Sequence, residues 1–366
     1  MTSARLVTGS PVLKPERALF DRFDFGRHAV FSYARHGFIQ LFRYLRARRD
    51  GHPGRLLFPN YMCHEVTGAL RNCGFEIDFY PVDENFDIQV PELGAKLSDS
   101  GRDLLACVVF QPYGHVGRDL DEVQKLCDGQ GVQVVEDCAH VPFPHVLESG
   151  LRPRWRVYTL RKTYPLPYGA AVTWAGSAGR FEDFSAGLPA NRGGALRFLL
   201  RWVLREQIKR AVLASSIPVT RKYVDLSLDP LKEFDRPSRL LSAFLARSDV
   251  ETVVQSRRRN LDAYRKLAPL FARWAQPFGF APGVDIPYQY LLVLRQGFRP
   301  EEVAGGLLKL GVPAVTGLAI EDQVLMSLPP EHAFRRLVAL PIHQDLSSSH
   351  FEKIEEALNV FNADLA

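Results

Sequence analysis

The chain has 366 residues, 46% apolar and 24% charged, with a formal net charge of +5. That length supports two domains, or one large α/β domain with a smaller satellite, around a sizeable core. The mild positive balance, with both signs interspersed, gives no argument for nucleic acid; an anionic small molecule or a phosphorylated cofactor would account for a basic pocket.

The five cysteines, Cys63, Cys73, Cys107, Cys127 and Cys138, are odd in number and none forms a CxxC pair, which reads as reduced thiols and not a disulfide framework. The first twenty residues lack the apolar core of a signal peptide, and the longest apolar run, 104–110, is far below the roughly 20 residues of a membrane span. A cytoplasmic protein without membrane contact is expected.

In chain order, residues 28–175 alternate short apolar runs with helical periodicity. Strands are expected at 55–58, 76–82, 106–110, 132–136, 157–160 and 170–174. Helices fall between them, for example at 64–72 and at 120–127, the latter opened by Asp119 as N-cap and closed near Gly129 and Gly131. Apolar strands without alternation imply a largely parallel sheet covered on both faces. From about 195 to 265 the pattern is helical, with a long helix within 234–267. A smaller α/β unit follows, with a strand at 288–294 and a helix at 299–310 that has Pro300 in its first turn. Ser349-x-x-Glu352 reads as a capping box opening the last helix. The expected division is a large domain over 1–245 and a small C-terminal domain over 246–366.

Two segments carry chemistry. In GVQVVEDCAH a buried strand ends in Glu136-Asp137, and ligands of parallel sheets bind at the carboxyl ends of strands. In VYTLRKTYPLPYGAAVTW, Lys162 lies in a Pro- and Gly-containing turn between two strands, where desolvation would lower its pKa and make it nucleophilic. Taken singly, the Asp reads as a helix cap or surface group and the Lys as a solvated charge. The order and spacing of several segments say more.

Four segments together resemble the DegT/StrS family of fold-type-I pyridoxal-phosphate (PLP) enzymes, best known as sugar aminotransferases. They are LLFPNYMCHEVTGALRNCGFEIDFYPVDENFDI, FQPYGHVGRDLDEVQKLCDGQGVQVVEDCAH, YTLRKTYPLPYGAAVTW and ALPIHQDLSSSHFEKIEEAL. The resemblance implies a large domain with a mostly parallel sheet and a small C-terminal α/β domain. It implies that Lys162 holds the cofactor aldehyde as a Schiff base and then shuttles protons, while Asp137 keeps the pyridine nitrogen protonated. His140 takes the place of a Gln or His near the phenolic oxygen. Thr159 and the Arg35-His36-Gly37 turn, at a helix N-terminus, are implied phosphate contacts. Arg236 falls where some members reach the neighbouring subunit's phosphate, which implies a homodimer with shared active sites.

The chain departs from that pattern in three places. The aromatic residue that stacks on the ring is replaced by Cys63, with Tyr61 or His64 as substitutes. Gly-Gly after the lysine reads Gly169-Ala170. Only about 30 residues precede the Arg35 segment, so the arm that shapes the family's substrate pocket is short.

Other features of the sequence point to no further site. Asp137, Cys138, His140 and His145 match no zinc spacing, so no metal is expected. No GxGxxG or GxxxxGK[ST] occurs. Arg197, Arg201, Arg205 and Lys209 form a basic stripe beside an apolar face, better read as an ordinary packed helix than as a lipid or polyanion site.

The leading expectation is transfer of an amino group, with glutamate as donor, to a keto acceptor that the resemblance makes a nucleotide-linked keto sugar. Two alternatives stand beside it. One is the same cofactor acting on a non-sugar metabolite or in another PLP reaction. The other is a non-catalytic binding subunit, against which the joint presence of Lys162 and Asp137 speaks.

Overall fold

The computed structural model describes residues 27–49, 53–100, 103–142, 155–164, 166, 168–175 and 249–365, with Phe181 and Leu200. Arg236, His145, the 197–209 stripe and the 245/246 boundary lie outside the described residues.

Seven strands form the first sheet: β1 (Arg27–Phe31), β2 (Arg55–Pro59), β3 (Glu76–Tyr80), β4 (Leu104–Phe110), β5 (Gln133–Cys138), β6 (Trp155–Thr159) and β7 (Ala170–Trp174). Their order is β1-β7-β6-β5-β4-β2-β3. Strands β2 to β6 pair in parallel, whereas β7 is antiparallel to both β6 and β1. The strand expectations hold to within two residues at each end. The first strand, β1, was not anticipated; only pairing with β7 makes its short run recognisable. Helices α1 (Ala34–Ala47), α2 (His64–Arg71), α3 (Val90–Ser100) and α4 (Leu120–Gly129) link the strands. Leu104, Leu105, Ala106, Cys107 and Val108 have no exposure, as expected for a strand covered on both faces.

Two helix starts differ from expectation. Asp119 occupies the N-cap position of α4 but has a left-handed backbone (φ 57°) and makes no side-chain cap. Acidic Asp121 and Glu122 in the first turn favour the helix dipole instead. The capping box of the last helix is built by Ser347 and His350, two residues before the expected pair, because the imidazole can accept the Ser347 N–H at 3.1 Å in place of a carboxylate.

The C-terminal part begins with α5 (Val250–Lys266), whose N-cap Asp249 accepts from the Thr252 amide, and α6 (Ala268–Phe271). Strands β8 (Ala275–Pro277), β9 (Gln289–Leu294), β10 (Val315–Thr316) and β11 (Leu337–Pro341) form a second, antiparallel sheet in the order β10-β11-β9-β8. Helices α7 (Pro300–Lys309), α8 (Asp322–Ser327) and α9 (Ser348–Asp364) complete it. One buried cluster runs through both sheets, from Leu57, Tyr80 and Val109 to Tyr290, Leu292 and Leu340.

The turn after β4 ties the two parts. Gly114 (φ 78°) accepts the Ile286 N–H at 3.0 Å, and the Tyr113 carbonyl accepts the Tyr288 N–H at 2.7 Å. A Cβ on Gly114 would overlap the Ile286 carbonyl, and the positive φ disfavours any L side chain. Gly114→Ala is expected to cost about 2–4 kcal/mol. The check is a urea unfolding midpoint; an unchanged midpoint would contradict the tight backbone approach.

Candidate active site

Parallel strands end their carboxyl termini along one edge, and four of those ends carry the residues of interest. Strand β5 delivers Glu136 and Asp137, and period-two alternation points them to opposite faces of the sheet. Glu136 is buried but compensated: Arg156 Nε donates to it at 2.7 Å and Gln111 Nε2 at 3.4 Å. Asp137, 2% exposed, accepts among the described residues only the Ala139 N–H at 2.8 Å. Desolvation pushes its pKa from 3.8 up to about 6, opposed by that hydrogen bond and by the charge of Lys162.

Strand β6 ends at Thr159 and runs into a 3₁₀ turn, Leu160–Lys162. The turn is closed by Thr163 and Tyr164 amides on the Leu160 carbonyl and by the Leu160 amide on Gly169. Lys162 keeps some surface open, yet its amine is enclosed enough for desolvation to lower its pKa to about 8. Cys63, Asp137 and Glu65 act in the opposite sense, and Arg161 adds to the lowering. The amine has no hydrogen bond or ion pair among the described residues; its Nζ lies 5.6 Å from the Tyr288 ring centroid.

His140 follows β5. Its Nδ1 accepts the Tyr113 N–H at 2.7 Å, and its ring stacks on Tyr288 at 4.7 Å and 16°. Burial and the nearby Lys162 and Arg257 charges hold it well below the usual histidine range, so it is neutral. Tyr113, which orients it, has φ 55°, a strained value for a non-glycine residue.

Cys63 caps α2 at the end of the β2 loop, where its thiol feels Lys162 and Asp137. Tyr61 turns elsewhere: its hydroxyl pairs with Tyr113 Oη at 2.8 Å and accepts the Leu318 amide, within the aromatic cluster of Phe86 and Phe334. His64 is exposed and its Nδ1 lies 3.1 Å from the Ala319 carbonyl.

Sheet register brings the α1 turn to Thr159. Phe31 pairs with Ala170, Ala170 pairs with Thr159, and the Gly169 amide donates to Ser32 at 2.8 Å. Arg35 and His36 in the first turn of α1 therefore lie at the same end of the same strands as Thr159. Gly37 permits this, since a Cβ there would press on Val172 at 2.9 Å. Arg35 pairs with Glu65 at 3.6 Å and lies over Tyr33. His36 is buried, and desolvation lowers its pKa to about 4.

Lys162, Asp137, His140 and Cys63 thus share one electrostatic environment, with Thr159 and the Arg35-His36 turn at the adjoining strand ends. Three further residues belong to it that carry no sequence signal of their own: Glu65, Tyr288 and Arg257. Arg257 is 1% exposed and donates to the Lys162 carbonyl at 3.4 Å. Among the described residues no cluster of three His, Cys, Asp or Glu could hold a metal ion, and no helix is long and apolar enough to cross a membrane.

The sequence matches no family model and no curated relative. Solved structures do match. Helicobacter pylori PseC, an aminotransferase of pseudoaminic acid biosynthesis, superposes with a TM-score of 0.67 at 14% identity, covering 96% of this chain and 92% of its own. The aminotransferase TlmJ from Streptoalloteichus hindustanus gives 0.65 at 18%, covering 93% and 86%. E. coli GDP-4-keto-6-deoxy-D-mannose-3-dehydratase, with bound hydrated PLP, gives 0.65 at 13%, covering 91% and 88%. The fold is that of the fold-type-I PLP-dependent enzymes, with the mostly parallel large sheet expected from the sequence.

The uncompensated Asp137 makes a test of the site independent of turnover. Its raised pKa means that the folded state pays for an ionised carboxylate above pH 6, by about 3 kcal/mol at most. Asp137→Asn is therefore expected to stabilise the cofactor-free protein by about 1–3 kcal/mol at pH 7. The gain should shrink as pH falls from about 6 through 3.8, below which both states are protonated. Urea melts at pH 7 and pH 4 decide; destabilisation at pH 7 would mean that the carboxylate is structurally paired.

Proposed function

We propose that this chain is a PLP-dependent aminotransferase, with Lys162 holding the cofactor. The observation that carries the reading is a desolvated amine and a desolvated carboxylate acting on each other through space, the carboxylate without an ion pair among the described residues, at the carboxyl edge of the large sheet. The residues suit the cofactor: an aldehyde needs a neutral amine, and a pyridinium needs a buried anion beside it. Bound PLP supplies an aldehyde for the donor nitrogen and an electron-withdrawing ring.

The protein's own groups do the rest. Asp137 would hold the proton on the ring nitrogen. Lys162 Nζ would hold the cofactor aldehyde and carry protons at the reacting carbon. His140, fixed by the Tyr113 amide and stacked on Tyr288, would serve the phenolic oxygen. Thr159 and the α1 turn would receive the phosphate, with Arg236 of the partner subunit in a homodimer. Cys63 leaves one ring face without an aromatic neighbour. The acceptor is a nucleotide-linked keto sugar and the location cytoplasmic; the pseudoaminic acid pathway of PseC and the GDP-keto-sugar substrate of the E. coli dehydratase support the former. That dehydratase also supports a second reading, removal of a hydroxyl from a keto sugar by the same fold.

Two measurements test this. The protein loaded with PLP is expected to absorb at roughly 410–430 nm, to lose that band in Lys162→Ala, and to have it bleached by L-glutamate. A well-folded protein without the band would remove the enzyme reading, and a band that no amino donor bleaches would favour the dehydratase. The rate of cofactor loading should rise with pH through about 8, because only the neutral amine attacks. At pH 7 roughly one-tenth of such an amine is neutral, against about one in three thousand for an ordinary lysine. An inflection near 10.5 would show that Lys162 is solvated.

A further inference from the structure

The last carbonyls of a helical turn have no partner within it and must be served from outside. In the turn that presents Lys162, the carbonyls of Lys162 and Thr163 accept side-chain donors from the C-terminal part: Arg257 Nη2 at 3.4 Å and Gln344 Nε2 at 2.9 Å. Only the Gln344 bond has the length of a well-formed one. Gln344 lies in the loop after β11, and α5 grips that loop with three side chains of its own. Tyr264 Oη donates to the Pro341 carbonyl at 2.7 Å, Asn260 Nδ2 to that of His343 at 2.7 Å and Arg259 Nη2 to that of Leu346 at 3.5 Å. Helix, loop and lysine turn are joined in series, although Gln344 and Thr163 stand 181 residues apart.

The Gln344 amide can face only one way, because reversing it would set Oε1 against the Thr163 carbonyl, acceptor to acceptor. Oε1 is buried and has no partner among the described residues. An idle buried acceptor works against folding, so stability alone gives no reason for an amide at this position. What the amide does fix is the backbone one residue beyond Lys162. Resting on the aminotransferase reading, we propose that Gln344 is a positioning residue: by holding the Thr163 carbonyl it keeps the Lys162 amine enclosed and aimed for attack on the cofactor aldehyde. Without the bond the turn loosens and water reaches the amine, which relieves the desolvation that dominates its lowered pKa.

Two variants of the full chain test this. Gln344→Met keeps the side-chain length without the donor, and Gln344→Asn is one methylene short of the carbonyl. Both leave in place the groups that face the amine: Cys63, Glu65, Asp137, Arg161, His140 and Arg257, with the Tyr288 ring. In both, the inflection of the PLP-loading rate with pH should move from about 8 towards 10.5, by roughly 0.5–1 pH unit. Loading at pH 7 should then slow about 3- to 10-fold, with the rates converging above pH 10.5. Tyr264→Phe, which drops a bond to the same loop but none to the lysine turn, should melt lower and keep its inflection near 8. The proposal is overturned if both Gln344 variants keep the wild-type inflection. It is equally overturned if Tyr264→Phe moves the inflection as far, which would reduce Gln344 to general support of the loop. The same comparison is made without PLP, from the pH dependence of Lys162 acetylation by acetic anhydride, read by mass spectrometry. A wild type that takes up no PLP defeats the aminotransferase reading separately, because the positioning of the amine by Gln344 then stands or falls on the acetylation profiles.

Discussion

Adjacent carboxylates on β5 meet opposite fates. Glu136 faces Arg156 and Gln111 and is neutralised within the protein. Asp137, near the sheet's carboxyl edge, has a single backbone amide as hydrogen-bond donor among the described residues, and desolvation lifts its pKa against the pull of Lys162. Burying a carboxylate without a cation works against folding, so such a group persists where something from outside completes it. The same holds for the lowered amine of Lys162 and for the idle nitrogens of Arg257. Two positive charges and one negative thus lie in one neighbourhood with few partners among the described residues.

Holding those charges apart yet close depends on the tie between the two sheets. Tyr113 does much of it with one strained residue: its amide fixes His140, its carbonyl receives Tyr288, and its hydroxyl joins Tyr61 and the Leu318 amide. Asp285, fully buried, adds bonds from the Val116 and Ala281 amides and a contact to His115 at 3.1 Å. On the far side of α2, Glu321 receives Arg71 at 2.6 Å and Thr67. Cys63, at the N-terminus of that helix, is thereby held between the parts, and so is the edge on which Lys162 stands.

Much of this was legible beforehand. Continuous apolar strands ending in an acid, followed by a lysine between two further strands, announced the parallel sheet and its working edge, because both periodicity and strand polarity are local properties of the chain. Element ends were less legible. The capping box slid to Ser347 and His350, since an imidazole can serve where the pattern calls for a carboxylate, and Asp119 took a left-handed backbone that pattern reading does not register. β1 was illegible for a different reason: an edge strand of five residues is defined by its partner, β7.

Sequence alone determined the chemistry on offer: which strand end carries Asp137, that Lys162 sits in a tight turn, and that the fold class is α/β with a largely parallel sheet. Only the tertiary structure decided which of these charges stay unpaired, because compensation depends on neighbours distant in the chain. Arg156 reached Glu136, whereas among the described residues Asp137 gained one backbone amide and no ion pair; Arg257, 95 residues from Lys162, arrived at its carbonyl. Through-space desolvation and pairing have no period along a sequence, so the selection of working groups from structural ones had to wait for the folded chain.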